Sequence, residues 1–210
     1  MSTTTALPID MGRGLALDLS DEGDGRWKLA FNKEAPALDT IEVQAIGRNG
    51  QCHPMKMFSG PDASSVYASG PTEKAYRARI VVSHRDHSHK RDVRLPGTAD
   101  YPLTIGTHGG TLISMGHHSY VELVPAGERR WKITFMDKDV LTNVPPVADV
   151  KAEAIAEPGG DDQVRDLAVL RADDAHSLFL EGKVADANYL RLAVMTGDHY
   201  HTRCVPVTRP

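Results

Sequence analysis

"MGRGLALDLSDEGDGRWKLAF" (Met11–Phe31) is answered, 104 places further on, by "MGHHSYVELVPAGERRWKITF" (Met115–Phe135). Met, Gly, Leu, Gly, Arg, Trp, Lys and Phe coincide between the two stretches. An offset of 112 then lays Gln51–Leu95 over Gln163–Val207 without a gap. Gln51, Ser65, Gly70, Ala75, Arg79, Val82, Asp86, His87, His89, Arg91 and Val93 each meet an identical residue. The change of offset implies an insertion in the second copy around "DKDVLTNVPPVADV", where a loop between strands absorbs it. Self-similarity at a fixed offset is the signature of an internal duplication. Two homologous units are therefore expected, 11–96 and 107–207, joined by the short linker "GTADYPLTIG".

Within each unit the apolar residues alternate. "LALDL", "WKLAF", "IEVQAI", "MKMF", "SVYA", "YRARIVV" and "DVRL" read as strands in the first. "YVELV", "WKITF", "VKAEAI", "LAVL", "LFLEG", "YLRLAVM" and "CVPV" read as strands in the second. Seven short strands per unit, punctuated by Gly, Pro, Asn and Asp, predict an all-β chain of two tandem immunoglobulin-like Greek-key β-sandwich domains. Trp27 and Trp131 sit at matched places in alternating strands and are expected in the cores.

The bulk properties exclude several classes of function. The net charge of -4 comes with no basic run, so a nucleic-acid partner is not expected. The longest apolar runs are too short to span a bilayer. No Gly-x-Ser-x-Gly, phosphate loop or His-Glu-x-x-His motif occurs, so no enzyme is expected. Cys52 and Cys204 occupy unmatched positions and are read as free thiols. The first residues, "MSTTTALPIDMGRG", do not read as a secretory signal.

The histidines carry the chemistry. "DHSHKR" (Asp86–Arg91) and "DHYHTR" (Asp198–Arg203) repeat one hexapeptide. In an extended segment residues i and i+2 point the same way, roughly 7 Å apart, so two imidazoles spaced this way can converge on one ion. In the second unit, His199 and His201 are expected just before the last strand, and His117 and His118 just before the first. Neighbouring first and last strands would bring these together, and the glycines after His108 would let it fold back toward the same edge. The expected metal site is thus His108, His117, His118, His199 and His201, with Asp198 as an oxygen donor. The first unit has Arg13 and Gly14 in place of the paired histidines, keeps His87 and His89, adds His84, and is expected to hold a weaker site. Imidazole clusters suit Cu2+, Ni2+ and Zn2+ and do not suit Mg or Ca.

"THGGTLISMGHHSYVELVPAGERRWKITFMDKD" resembles the opening of small exported β-domains that bind heavy metals and accompany metal-efflux adaptor proteins. The likeness rests on His108, Gly109, Gly110, Gly116, Glu122, Leu123 and Val124. It implies storage, buffering or delivery of Cu, Ni, Zn or Co, a metal-efflux or other protein partner, and a periplasmic or exported location, with the cytoplasm as the alternative. Asp198 with His199 or His201 is also similar to the late part of periplasmic copper-resistance sandwiches. The competing expectation is a β-sandwich interaction module without metal.

Overall fold

The computed structural model describes residues 6–96, 98, 104–116, 118–137, 140–156 and 163–207. The chain divides into two compact units, the first built mainly on residues up to Asp100 and the second mainly on residues from Tyr101. Among the described residues there is no α-helix, and no helix is long and apolar enough to cross a membrane. Every strand pairing is antiparallel, which is the all-β sandwich that the alternation predicts.

The first unit comprises β1 (Leu7–Gly12), β2 (Leu15–Gly23), β3 (Arg26–Phe31), β4 (Ile41–Gly47), β5 (Cys52–Pro54), β6 (Lys56–Ser59), β7 (Ser65–Ser69), β8 (Ala75–Ser83) and β9 (Ser88–Arg94). One sheet runs β1-β2-β3-β7-β6 and the other β5-β4-β8-β9. Leu15, Leu17, Leu19, Trp27, Leu29 and Phe31 meet Ile41, Val43, Ala45, Ala78, Ile80 and Val82 in one apolar core. These are the alternate positions of each strand, so each sheet buries one face. Trp27 is 2% exposed and anchors that core; truncating such a side chain to alanine costs about 3–5 kcal/mol.

The second unit comprises β10 (Thr111–Gly116), β11 (Ser119–Pro125), β12 (Arg130–Asp137), β13 (Val140–Leu141), β14 (Val150–Ala156), β15 (Val164–Arg171), β16 (Ser177–Glu181), β17 (Ala187–Thr196) and β18 (His199–Pro206). Its order is β10-β11-β12-β16-β15-β14-β17-β18, with β13 attached to β12. The first half of β15 pairs with β14 and the second half with β16, so this strand passes from one side of the sandwich to the other. In the first unit β5 pairs with β4 and β6 with β7, and buried Met55 marks the crossing between them. The extra strand β13 lies in the stretch where the offset between the two halves changes.

β1 and β10 precede the strands that the alternation picks out. Both are edge strands with a bulge before the turn, at Asp10/Gly12 and Ser114/Gly116. An arginine of the last strand ties down each bulge. Arg91 Nε donates to the Asp10 carbonyl at 2.7 Å, and Arg203 Nε donates to the Ser114 carbonyl at 2.8 Å. The histidine pairs also lie further into the fold than expected: His89 is inside β9, and His199 and His201 are inside β18. Cys52 and Cys204 do not form a disulfide; Cys204 is buried and Cys52 half-buried.

Candidate metal centre

Strands β8 and β9 form a hairpin whose register is Val82↔His89 and Ser83↔Ser88. The His84 N–H donates to the His87 carbonyl at 2.8 Å, which closes the loop on the two residues Arg85 and Asp86. Cross-strand partners share a face, and so do residues two apart on one strand. Val82, His84, His87 and His89 therefore line the same side of the hairpin. Val82 belongs to the core, and the three imidazoles continue its row beyond the core to the rim of the sandwich.

The rings meet there. Centroids are 4.8 Å apart for His84 and His87, stacked, and 4.9 Å for His87 and His89, edge to face. His84 and His89 are 5.3 Å apart, also edge to face. One donor atom from each of the three lies within 4.8 Å of the others. His89 is buried, His87 half-buried and His84 exposed, so the group has a closed side and an open side.

Two of the rings are oriented by acceptors. His87 Nδ1 lies 2.7 Å from Asp86 Oδ1, and this hydrogen bond is the main reason the Asp86 carboxyl is held below its ordinary range. His89 donates to the Met11 backbone carbonyl. Burial pushes the His89 imidazole below its usual value, and neighbouring His87 adds to the effect. The Nε2 atoms of His87 and His89 then face each other across 3.2 Å.

The second unit holds its expected ligands differently. His199 and His201 are close, with ring centroids 4.6 Å apart, and Asp198 Oδ1 takes the Nδ1 of His199 at 2.9 Å. That contact makes Asp198 an orienting group for His199. His118 is an exposed turn residue with φ 66°, beside the β10–β11 bulge. His117 lies outside the described residues. His108 is a correction to the sequence reading, because it does not fold toward His201. Its backbone N–H and Nδ1 bind the two oxygens of Glu122 at 2.7 and 2.6 Å, and the Gly110 N–H reaches the same carboxylate at 3.0 Å. Glu122 pairs with Leu112, whereas His201 lies by Gly116. Four strand residues separate those places, about 13 Å. Among the described residues, only His84, His87 and His89 form a group of three metal-competent side chains.

The glycines of "GTHGG" serve the Glu122 clasp. A Cβ on Gly106 would stand 2.5 Å from the Glu122 carboxyl carbon, and one on Gly110 would stand 2.3 Å from the Leu123 carbonyl oxygen. Burial alone would raise the Glu122 pKa, but the bonds from His108 and Gly110 outweigh it and hold the carboxyl below its ordinary value.

The sequence reading counted His84 with the first unit's weaker site but did not set it opposite His87. The signal was available: two residues, Arg85 and Asp86, are enough for a hairpin turn, and that turn sets His84 directly across from His87. No family model matches the chain, and no curated protein matches it.

Proposed function

We propose that the chain binds a late first-row transition-metal ion, of the Cu2+, Ni2+ or Zn2+ class, through His84, His87 and His89, and that it stores, buffers or delivers that ion. The observation that carries this reading is the facing pair of Nε2 atoms. His87 Nδ1 lies on Asp86, and His89 has a hydrogen bond with the Met11 backbone. With each of those bonds made through Nδ1–H, neutral rings would present both Nε2 lone pairs to the same 3.2 Å gap, which either a shared proton or a metal ion fills. Two nitrogens bound to one zinc at tetrahedral angles stand about 3.3 Å apart, so the gap has the spacing of two ligands on one ion. His84 is exposed and must swing inward by roughly 1.5 Å to complete the set, which a surface side chain does readily. A carboxylate or carbonyl behind each imidazole is the usual outer shell of a histidine metal site.

We further read the two units as copies of one ancestral sandwich. The strand orders and the paired arginine ties support this. On this reading Thr196 stands where the first unit has His84, so the second hairpin has two of the three imidazoles.

Calorimetric titration of the full chain with Zn2+ and Cu2+ at pH 7.5 tests the proposal. One ion per chain is expected, with a dissociation constant below about 1 μM. His84→Ala should weaken it by at least tenfold, and Asp86→Asn by about 10–100-fold, as outer-shell losses do. The pair His199→Ala and His201→Ala should leave it intact. Absence of binding, or loss only in the second pair, overturns the assignment.

A further inference from the structure

The first unit has a second concave place, at the ends of β1 and β9 away from the imidazole group. Leu7 opens β1 there, and Leu95 follows β9. A cavity of about 750 Å³ lies at this end, the size of a small-molecule site. Leu19, Trp27 and Ala75 of the core line part of it, as do Leu7 and Leu95, which pack on that core but are only partly buried. The rest of the lining is acidic. Asp21 and Glu22 from the end of β2 and Glu73 from the β7–β8 loop stand exposed around it. Among the described residues that line the cavity there is no lysine, arginine or histidine. Asp21 and Glu22 each take one local bond, from the Gly23 N–H and the Ser20 hydroxyl, and keep further acceptor capacity.

Two observations separate this place from ordinary surface acid. Thr72 lines the cavity and is only 8% exposed. Its backbone N–H and carbonyl are used, on Gly70 and Ala75, but its hydroxyl has no hydrogen-bond partner among the described residues. A buried hydroxyl left unpaired costs free energy, and the cavity is the side from which its partner must come. The sandwich itself does not call for these groups. At the offsets of the sequence repeat, Pro125, Ala126, Val184 and Ala185 stand where the first unit has Asp21, Glu22, Thr72 and Glu73.

Three carboxylates without a counter-charge repel one another and attract a cation. The apolar floor asks in addition for an apolar body on that cation. A protonated amine on a ring or aliphatic frame meets both. Its N–H groups donate to the Thr72 hydroxyl and to the carboxylates, and its frame covers the floor. We infer that this cavity binds a small organic amine in its ammonium form, seated on Leu19 and Trp27 and held by Thr72, Glu22 and Glu73. The inference is independent of the metal-binding reading.

The test titrates the full chain with tryptamine and follows its backbone amide signals, with indole-3-acetate as the anionic ligand of like shape. Tryptamine should move the signals of Asp21–Gly23, Thr72 and Glu73 saturably, with a dissociation constant below about 1 mM, the scale for a ligand of this size. Indole-3-acetate should bind at least about tenfold more weakly, since its charge meets the rim with the wrong sign. Glu22→Ala with Glu73→Ala should weaken tryptamine by roughly tenfold, and Thr72→Val by roughly fivefold, the scale of lost hydrogen bonds to a charged group. Alanine and valine are the residues at the matched places of the second unit, so the fold should accept them. Equal binding of the two ligands, no saturable shift at these amides, or variants that bind tryptamine like the unsubstituted chain overturns the inference. Should a variant fail to fold, the comparison of the two ligands on the unsubstituted chain decides alone.

Discussion

Glu122 shows how far one residue can be from the role its surroundings suggest. It sits in a strand position that reads as an ordinary polar outlier in "YVELV", yet it is fully buried and accepts three hydrogen bonds from the 108–110 loop. The sequence makes the His-Gly-Gly stretch visible but not its purpose, because a carboxylate can orient an imidazole as readily as a metal can bind one. Replacing the carboxylate tests the clasp. Glu122→Gln should destabilise the second unit by about 1–3 kcal/mol, since an amide NH2 then faces the His108 donor. The pH dependence has a definite sign. A carboxyl whose pKa in the fold lies below its ordinary 4.5 stabilises the fold fully above that value. The contribution disappears as pH falls through the lowered folded value. The gap in melting temperature between the chain and its Gln variant should therefore stay level from pH 7 to about pH 5.5 and close below about pH 4.5. A gap that stays constant into acid would mean that the charge on Glu122 is immaterial. At Gly110 the same loop meets a steric limit: Gly110→Ala puts a methyl against the Leu123 backbone, and a loss of about 2 kcal/mol or more in urea unfolding is expected.

At the scale of elements, the inner strands were legible because burial on one face writes period-two alternation into the sequence. The edge strands were not. "LPIDMG" carries a proline, which an edge strand tolerates because its outward N–H groups have no partner. "TLISMG" is flanked by glycines and histidines that resemble a loop. Missing β1 and β10 misplaced the histidines, since these strands, and not β2 and β11, carry the bulges that the last strands tie to. The hairpin holding the triad was partly legible. Its His-x-His spacing was evident, but the third imidazole, His84, lies across the turn, where strand periodicity gives no cue. In β17–β18, Thr196 pairs with His199 across Gly197 and Asp198, the geometry that places His84 opposite His87. Thr196 is exposed, so Thr196→His should change stability by no more than about 0.5 kcal/mol. It should raise Zn2+ stoichiometry from one to two ions per chain, read by calorimetry and by metal analysis after dialysis. A stoichiometry that stays at one would show that hairpin geometry alone does not define the site.

For the whole molecule, the consequence is asymmetry between two units of like strand order. The Asp-His-x-His-x-Arg hexapeptide is present in both, and the sequence reading expected the fuller site in the second unit. Geometry distinguishes them by one side chain: His84 completes the group in the first unit, and Thr196 stands at the matching place in the second. A local probe can read this without reference to folding cooperativity. Cu2+ is paramagnetic and broadens the amide resonances around it, whereas Zn2+ at the same place leaves them sharp. With Cu2+ added below one equivalent, signals from Met11–Arg13, His84, His87 and His89 should vanish first. Those of His199, Tyr200 and His201 should persist until the first equivalent is passed. The His84→Ala chain should lose this order and broaden both hairpins together at higher Cu2+, because two-imidazole sites then compete on similar terms. Early loss of the 199–201 signals in the unsubstituted chain would move the preferred ion to the second unit and remove His84 from the ligand set.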